Sequence, residues 1–347
     1  MVRTVGERTE PSDLLRPGTA TSIGSLPHTD PDEAARFVLE HHPELPAAPS
    51  LPNRSPAEGM LAQAVWGVGG LAVDDDGAVV LTGRPAEVAR TRDPLDLGAD
   101  AWRSLDVFLD HVRGRTAPVK VQSTGAVTLG RALLAAGMPV ERAFAVAGAV
   151  VRARVAELVA VVRERLPQTP LLVMLDEPGL VGSSHPRFPI STGETLDLLT
   201  GCVAAIEQDA GPVLTGIHCC GAADWTTVLE AGPDVLAAPA DAGLGFVPGA
   251  IEAFLDRGGR IAWGAIPTDE PIGTSAEHPW RKLTETWCVL VRGGLDPVRL
   301  RRRALVTPAC GLAGHGTSQA GRALRLAADV GERIHEQTTI ARLTVGA

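Results

Sequence analysis

Two thiols and one imidazole stand where short apolar runs of this sequence end. His218 and Cys220 close the run VLTGIH, two residues apart, and Cys310 follows the run ALVT at 304–307. Alternate residues of an extended chain share a side, so His218 and Cys220 face one way and Cys219 the other. One imidazole with two thiolates is a soft donor set that suits zinc rather than magnesium or manganese. Three protein ligands and an open position make the catalytic form of zinc, whereas four make the structural form. Taken singly, His218 reads as a satisfied core histidine and Cys220 as a packing residue; with Cys310 at another strand end they read as a metal centre. Cys202 and Cys288 lie in apolar helical contexts and read as packing residues.

The elements that must bring these groups together alternate regularly. Apolar or β-branched runs at 19–24, 45–50, 119–123, 171–175, 213–218, 235–239, 260–266 and 304–307 read as eight strands. Amphipathic segments at 32–41, 141–165, 192–207, 225–230, 248–256, 279–291 and 318–336 read as helices. Asp30-Pro31 is a helix start signal and Pro167 a stop. This order predicts an α/β fold, a (β/α)8 TIM barrel spanning 19–347, behind a flexible lead-in at 1–18 that is polar and broken by Pro11 and Pro17. A small hairpin is expected after the second strand, where Asp76-Gly77 sits between apolar residues. The aspartates at 74–76 lack the remaining spacing of a calcium loop and read as a solvated turn. The basic run at 299–303 reads as a solvated helix end.

In such a barrel the active site lies at the C-terminal ends of the strands. Ile23-Gly24-Ser25, Asp176-Glu177-Pro178, His218-Cys219-Cys220 and Cys310-Gly311 all follow strand runs and would meet at one mouth.

Composition narrows the functional class. The 347 residues are 45% hydrophobic and 21% charged, enough for a large core. Lys and Arg number 32 against 41 Asp and Glu, a net charge of −9, with 3% aromatics and no Tyr. That excludes the basic surface and stacking platforms of a nucleic-acid binder. No apolar run reaches the ~20 residues of a membrane span, and the first residues lack the apolar stretch of a secretory signal, so a cytoplasmic protein is expected.

The segments 19–27 (TATSIGSLP), 175–180 (LDEPGL), 218–220 (HCC) and 307–312 (TPACGL) resemble the catalytic barrel of cobalamin-independent methionine synthase. They also resemble its single-barrel relatives in the uroporphyrinogen decarboxylase/methionine synthase superfamily. The stretches 51–63 (LPNRSPAEGMLAQ) and 263–268 (WGAIPT) look more like those single-barrel relatives. The resemblance covers about 19–316. It implies that His218, Cys220 and Cys310 bind Zn2+, and that Ile23 and Ser25 hold the amino-acid end of a thiol substrate, homocysteine. It further implies that Asp176 pairs with the substrate ammonium, with Glu58 as a second such carboxylate.

The sequence departs from the full-length synthases in three ways. It is one barrel. The glutamate that those enzymes place at the metal aligns with Pro239, and Asp241, two residues on, is the candidate substitute. Their histidine after the seventh strand is replaced by Pro267-Thr268-Asp269, which favours a methylated corrinoid, carried by a partner protein, over methylfolate as donor. Asp269 and His315 are the nearby acids that a folate nitrogen would need. The rival readings are transfer to another thiol of the coenzyme M type, a porphyrinogen-decarboxylase-like barrel, and a non-catalytic barrel that binds zinc or a corrinoid protein.

Overall fold

The computed structural model describes residues 15–89, 92–209 and 211–345. Its centre is a six-stranded parallel sheet in sequential order: β3 (Val119–Thr124), β4 (Leu171–Asp176), β5 (Val213–His218), β6 (Val235–Pro239), β7 (Arg260–Ile266) and β8 (Ala304–Pro308). A separate antiparallel pair, β1 (Leu71–Val73) and β2 (Val79–Leu81), forms the expected hairpin. Gly77 takes φ +78° at its tip, and Asp74 Oδ1 accepts from the backbone N–H of Asp76 and Ala78, so this aspartate closes the turn itself.

The first two expected strands are a correction. Segments 19–24 and 45–50 are extended but carry only isolated parallel bridges, Ala20 to Val306, Ser25 to Ser50 and Ala47 to Lys120. Pro46 and Pro49 have no N–H to donate, and Gly24 at φ +142° turns the first segment out of strand geometry. Hydrogen bonds nonetheless run from Thr21 N to Val306 O, from Leu26 N to Ser50 O and from Ala48 N to Lys120 O. The two segments therefore lie between β8 and β3, the two edges of the regular sheet.

Burial follows strand parity. Leu172, Met174, Leu214, Val235, Ala237, Ala262 and Leu305 pack on one face with Leu45, in a cluster near the strand starts. Their sequence neighbours Val173, Leu175, Ile217, Leu236, Trp263 and Val306 pack on the other face, in the larger core shared with the helices. Leu15 joins the first cluster, 2% exposed, and Gly18 N donates to Ala304 O. Residues 15–18 of the expected lead-in are thus packed onto the sheet; residues 1–14 lie outside the described residues.

Helices α1 (Pro31–His41), α5 (Val140–Arg165), α6 (Thr192–Ile206), α7 (Trp225–Glu230), α8 (Pro248–Asp256), α9 (Glu277–Arg292) and α11 (Thr317–Val345) fall where periodicity places them. Asp30 caps α1 and Ser191 with Glu194 forms a capping box on α6. Helices α2 (Met60–Val65), α3 (Arg103–His111), α4 (Ala126–Ala135) and α10 (Pro297–Arg302) are additions to the sequence expectation. α2 and α10 span six residues each and α4 is apolar almost throughout, so these three give no clear helical period, whereas α3 is amphipathic, with Leu105, Phe108 and Leu109 buried. The basic run on α10 is not simply solvated. Arg299 pairs with Asp256, Arg301 lies over the Trp287 ring, and Arg303 donates to Gly258 O.

Candidate functional site

Strand register sets the site. Thr124 is opposite Asp176, Asp176 opposite His218, and His218 opposite Ala237, so one layer crosses β3 to β6 at their C-terminal ends. His218 is 4% exposed, and its Nδ1 donates to the Ala237 carbonyl at 3.2 Å. That hydrogen bond fixes the tautomer and leaves Nε2 with the free lone pair, the arrangement of a metal-ligating histidine. Cys219 points away into the core, fully buried, with Sγ 3.4 Å from Gly221 O. Cys220 keeps partial exposure.

Cys310 arrives from the far side of the sheet. The backbone hydrogen bond from Ala309 N to Ile266 O anchors the turn that follows β8, and Leu312 N donates to Ser25 O. Gly311 lies so close to Ser25 that a Cβ there would stand 2.0 Å from its Oγ. The loop bearing Cys310 is thereby pressed onto the segment bearing Ser25.

Cys220 and Cys310 line one cavity, and His218 stands two residues from Cys220 at the same strand end. The interaction between the two thiols pushes Cys310 up to about 12 and holds Cys220 below its ordinary value. Cys310 also interacts with the His218 ring. Among the described residues, no three His, Cys, Asp or Glu side chains already converge as a metal-holding set. In donor chemistry, one oriented imidazole and two adjoining thiols fit zinc. Binding would replace the thiol protons by the metal.

Asp176 has one oxygen, Oδ1, that is buried without a hydrogen-bond partner. Burial pushes its carboxyl upward, against the pull of the Lys120 ammonium. A buried acceptor left open is costly unless a ligand fills it. Glu177, its neighbour, serves the scaffold instead. Its carboxylate accepts from Val127 N, Thr128 N and Thr128 Oγ1 at 2.6–2.9 Å, capping the start of α4. Gly125 is required there, since any Cβ would collide with the Glu177 carboxyl carbon at 2.1 Å.

Ile23 is buried, and its carbonyl accepts from Lys120 Nζ at 2.5 Å. Ser25 is half-buried beside Gly311. Glu58 is engaged elsewhere, accepting from Leu51 N, Arg54, Ser104 N and Ser104 Oγ. Both its oxygens hold the 51–55 turn in place, and that turn backs the segment bearing Ser25 through Ser50. Asp241 is exposed on the wall of a cavity of about 590 Å³ that also takes in Cys220 and Cys310. Asp269, Glu270, Lys282 and His315 line the same cavity, with His315 Nε2 3.1 Å from Thr268 O.

Sequence reasoning alone misses Lys120 and the capping role of Glu177. A signal for Lys120 exists: in VKVQST it is a charge on the parity that faces the interior.

The fold is an α/β one of TIM-barrel kind around a six-stranded parallel sheet, with His218, Cys220 and Cys310 at or just past C-terminal strand ends. It is similar to the solved structure of a B12-independent methionine synthase from Shewanella sp. W3-18-1 in complex with selenomethionine, with a TM-score of 0.60 and 13% identity over 94% of this chain and 99% of that one. It is similar also to a putative vitamin-B12 independent methionine synthase from Listeria monocytogenes, with a TM-score of 0.58 and 13% identity over 92% of this chain and 98% of that one. At that identity the likeness shows the fold. No family model and no curated protein sequence matches the chain. No helix among the described residues is long and apolar enough to cross a membrane.

Proposed function

We propose that this protein is a zinc-dependent S-methyltransferase that methylates a small amino-acid thiol, homocysteine, to give methionine. The observation that carries the reading is that Cys220 and Cys310, distant in sequence, line one cavity, with His218 opposite Asp176 in the strand register beside them. The named activity of the two similar solved structures supports it.

A free alkyl thiol is mostly protonated at neutral pH, and only the thiolate is a good nucleophile. Zinc held by His218, Cys220 and Cys310 would supply a Lewis acid that favours the thiolate of the acceptor in an open position. The Ala237 carbonyl keeps His218 turned toward that position. Asp176 receives the substrate ammonium on its open oxygen, and Ser25 and the Ile23 backbone hold the rest of the amino-acid end. The new S–CH3 bond forms as the donor–CH3 bond breaks, the thiol proton leaves to solvent, and the bonding pair departs with the donor. Fixing the sulfur in line with the methyl group prepays much of the entropy of a bimolecular step.

The donor enters the cavity bounded by Asp241, Asp269 and His315. A methylfolate would draw a proton for its departing nitrogen from Asp269 or His315; a methylated corrinoid on a partner protein needs none. The replaced histidine at 267–269 favours the corrinoid, whereas the similar structures are named as B12-independent, which counts against it. Asp241 is the candidate fourth ligand. A coenzyme M type acceptor would bring a sulfonate against Asp176, a like-charge clash. A porphyrinogen decarboxylase needs arginines at the mouth, and among the described residues none lines this cavity.

The test is a methyl-transfer assay of the zinc-loaded protein with homocysteine, supplying methylcobalamin and methylfolate separately. Methionine from one donor is the expected result. Methionine from neither, with zinc bound, would overturn the reading.

A further inference from the structure

Lys120 is 2% exposed near the start of β3, where a lysine must find partners for its ammonium. Nζ donates to Ile23 O at 2.5 Å and to Gln122 Oε1 at 3.3 Å. Gln122 is itself fixed, donating from Nε2 to Ala48 O at 2.7 Å. The third neighbour, and the charged one, is Asp176, whose attraction opposes the downward push of burial on the lysine.

The partners matter because of how the 19–25 segment is built. Bridges hold it at Ala20 and at Ser25. Between them Gly24 sits at φ +142°, and the Gln122 amide leaves no space for a Cβ. The carbonyl of Ile23 is held across that gap by the Lys120 ammonium. One buried cation therefore touches the backbone of one substrate-holding segment and balances the carboxylate of the other.

We propose that Lys120 is a positioning residue for the amino-acid end of the substrate, fixing the Ile23 carbonyl by hydrogen bond and setting a buried positive charge toward Asp176. This rests on the reading of the site as one for an amino-acid thiol. It selects acceptors by their ammonium-bearing end while leaving capture of sulfur to His218, Cys220 and Cys310. Lys120 acts through Ile23 and Asp176, so its effect falls on binding of one part of the substrate.

The experiment is calorimetric titration of zinc-loaded wild type, Lys120→Met, Asp176→Asn and the double variant with L-homocysteine and with 1-propanethiol. Propanethiol offers the sulfur alone. Lys120→Met is expected to weaken homocysteine by about 10- to 100-fold, the loss typical of hydrogen bonds to charged groups. Propanethiol affinity and zinc content stay at wild-type values. The double variant, which leaves no lone buried charge and so guards against misfolding of Lys120→Met, should bind homocysteine no more weakly than Asp176→Asn. Equal weakening of both thiols, an unchanged homocysteine affinity, or fully additive losses would overturn the role of Lys120. A wild type that binds propanethiol and not homocysteine would instead overturn the amino-acid-thiol reading beneath it.

Discussion

Cys310, on the turn after β8, and Cys220, just past the end of β5, line one cavity although 90 residues of chain separate them. Two thiols facing one cavity near an oriented imidazole are the donor set that a zinc ion, displacing the thiol protons, would take. Cys310→Ser should therefore lose zinc and methyl transfer yet remain folded, because Cys310 is partly exposed and outside both core clusters. Its cost in stability should stay below about 1 kcal/mol. Metal analysis together with thermal unfolding checks this, and unfolding of the variant would assign the cluster a structural role.

Gly311 offers a second probe that touches neither metal ligand nor acid. An alanine Cβ at 311 would stand 2.0 Å from Ser25 Oγ, so the hydroxyl must rotate away. Gly311→Ala should raise KM for the thiol in the same direction as Ser25→Ala, and the two together should do little more than either alone. Steady-state kinetics of the three variants decides it; independent, additive effects would show that Ser25 does not hold the substrate.

Acid stability has a nameable source away from the site. His42 is buried, donates from Nε2 to Leu324 O at 3.0 Å, and burial lowers it from 6.5 to about 4. The unfolded chain takes up this proton below pH 6.5 while the folded one refuses it until about pH 4. The stabilisation is thus complete above pH 6.5 and is lost as pH falls toward 4, a loss of roughly 3 kcal/mol at most. Denaturant melts from pH 7 to 4 should show a shallower slope for His42→Gln than for wild type. Parallel slopes would remove His42 from the account.

Much of the architecture is legible in the sequence. β5 to β7 and helices α7 and α8 begin and end where apolar runs and prolines place them, and the two-residue spacing of His218 and Cys220 fixes their shared side without reference to the rest of the chain. Less legible are features that depend on partners distant in sequence. The 45–50 run reads as a strand from its apolar residues, yet Pro46 and Pro49 reduce it to single bridges once neighbours must be hydrogen-bonded. Glu177 adjoins Asp176 in one motif, but its carboxylate is spent on a helix that begins 51 residues earlier, at Ala126. Lys120 stands in plain view on an interior parity; what it holds, the Ile23 carbonyl, is 97 residues away.

The most direct test is X-ray absorption at the zinc edge, on protein loaded with one equivalent of metal, before and after homocysteine. The account predicts one zinc per chain with one imidazole and two sulfur ligands, gaining a third sulfur when the substrate is added. A centre that holds four protein ligands and does not respond to the thiol, or a Cys310→Ser variant that retains the same two sulfurs, would contradict it.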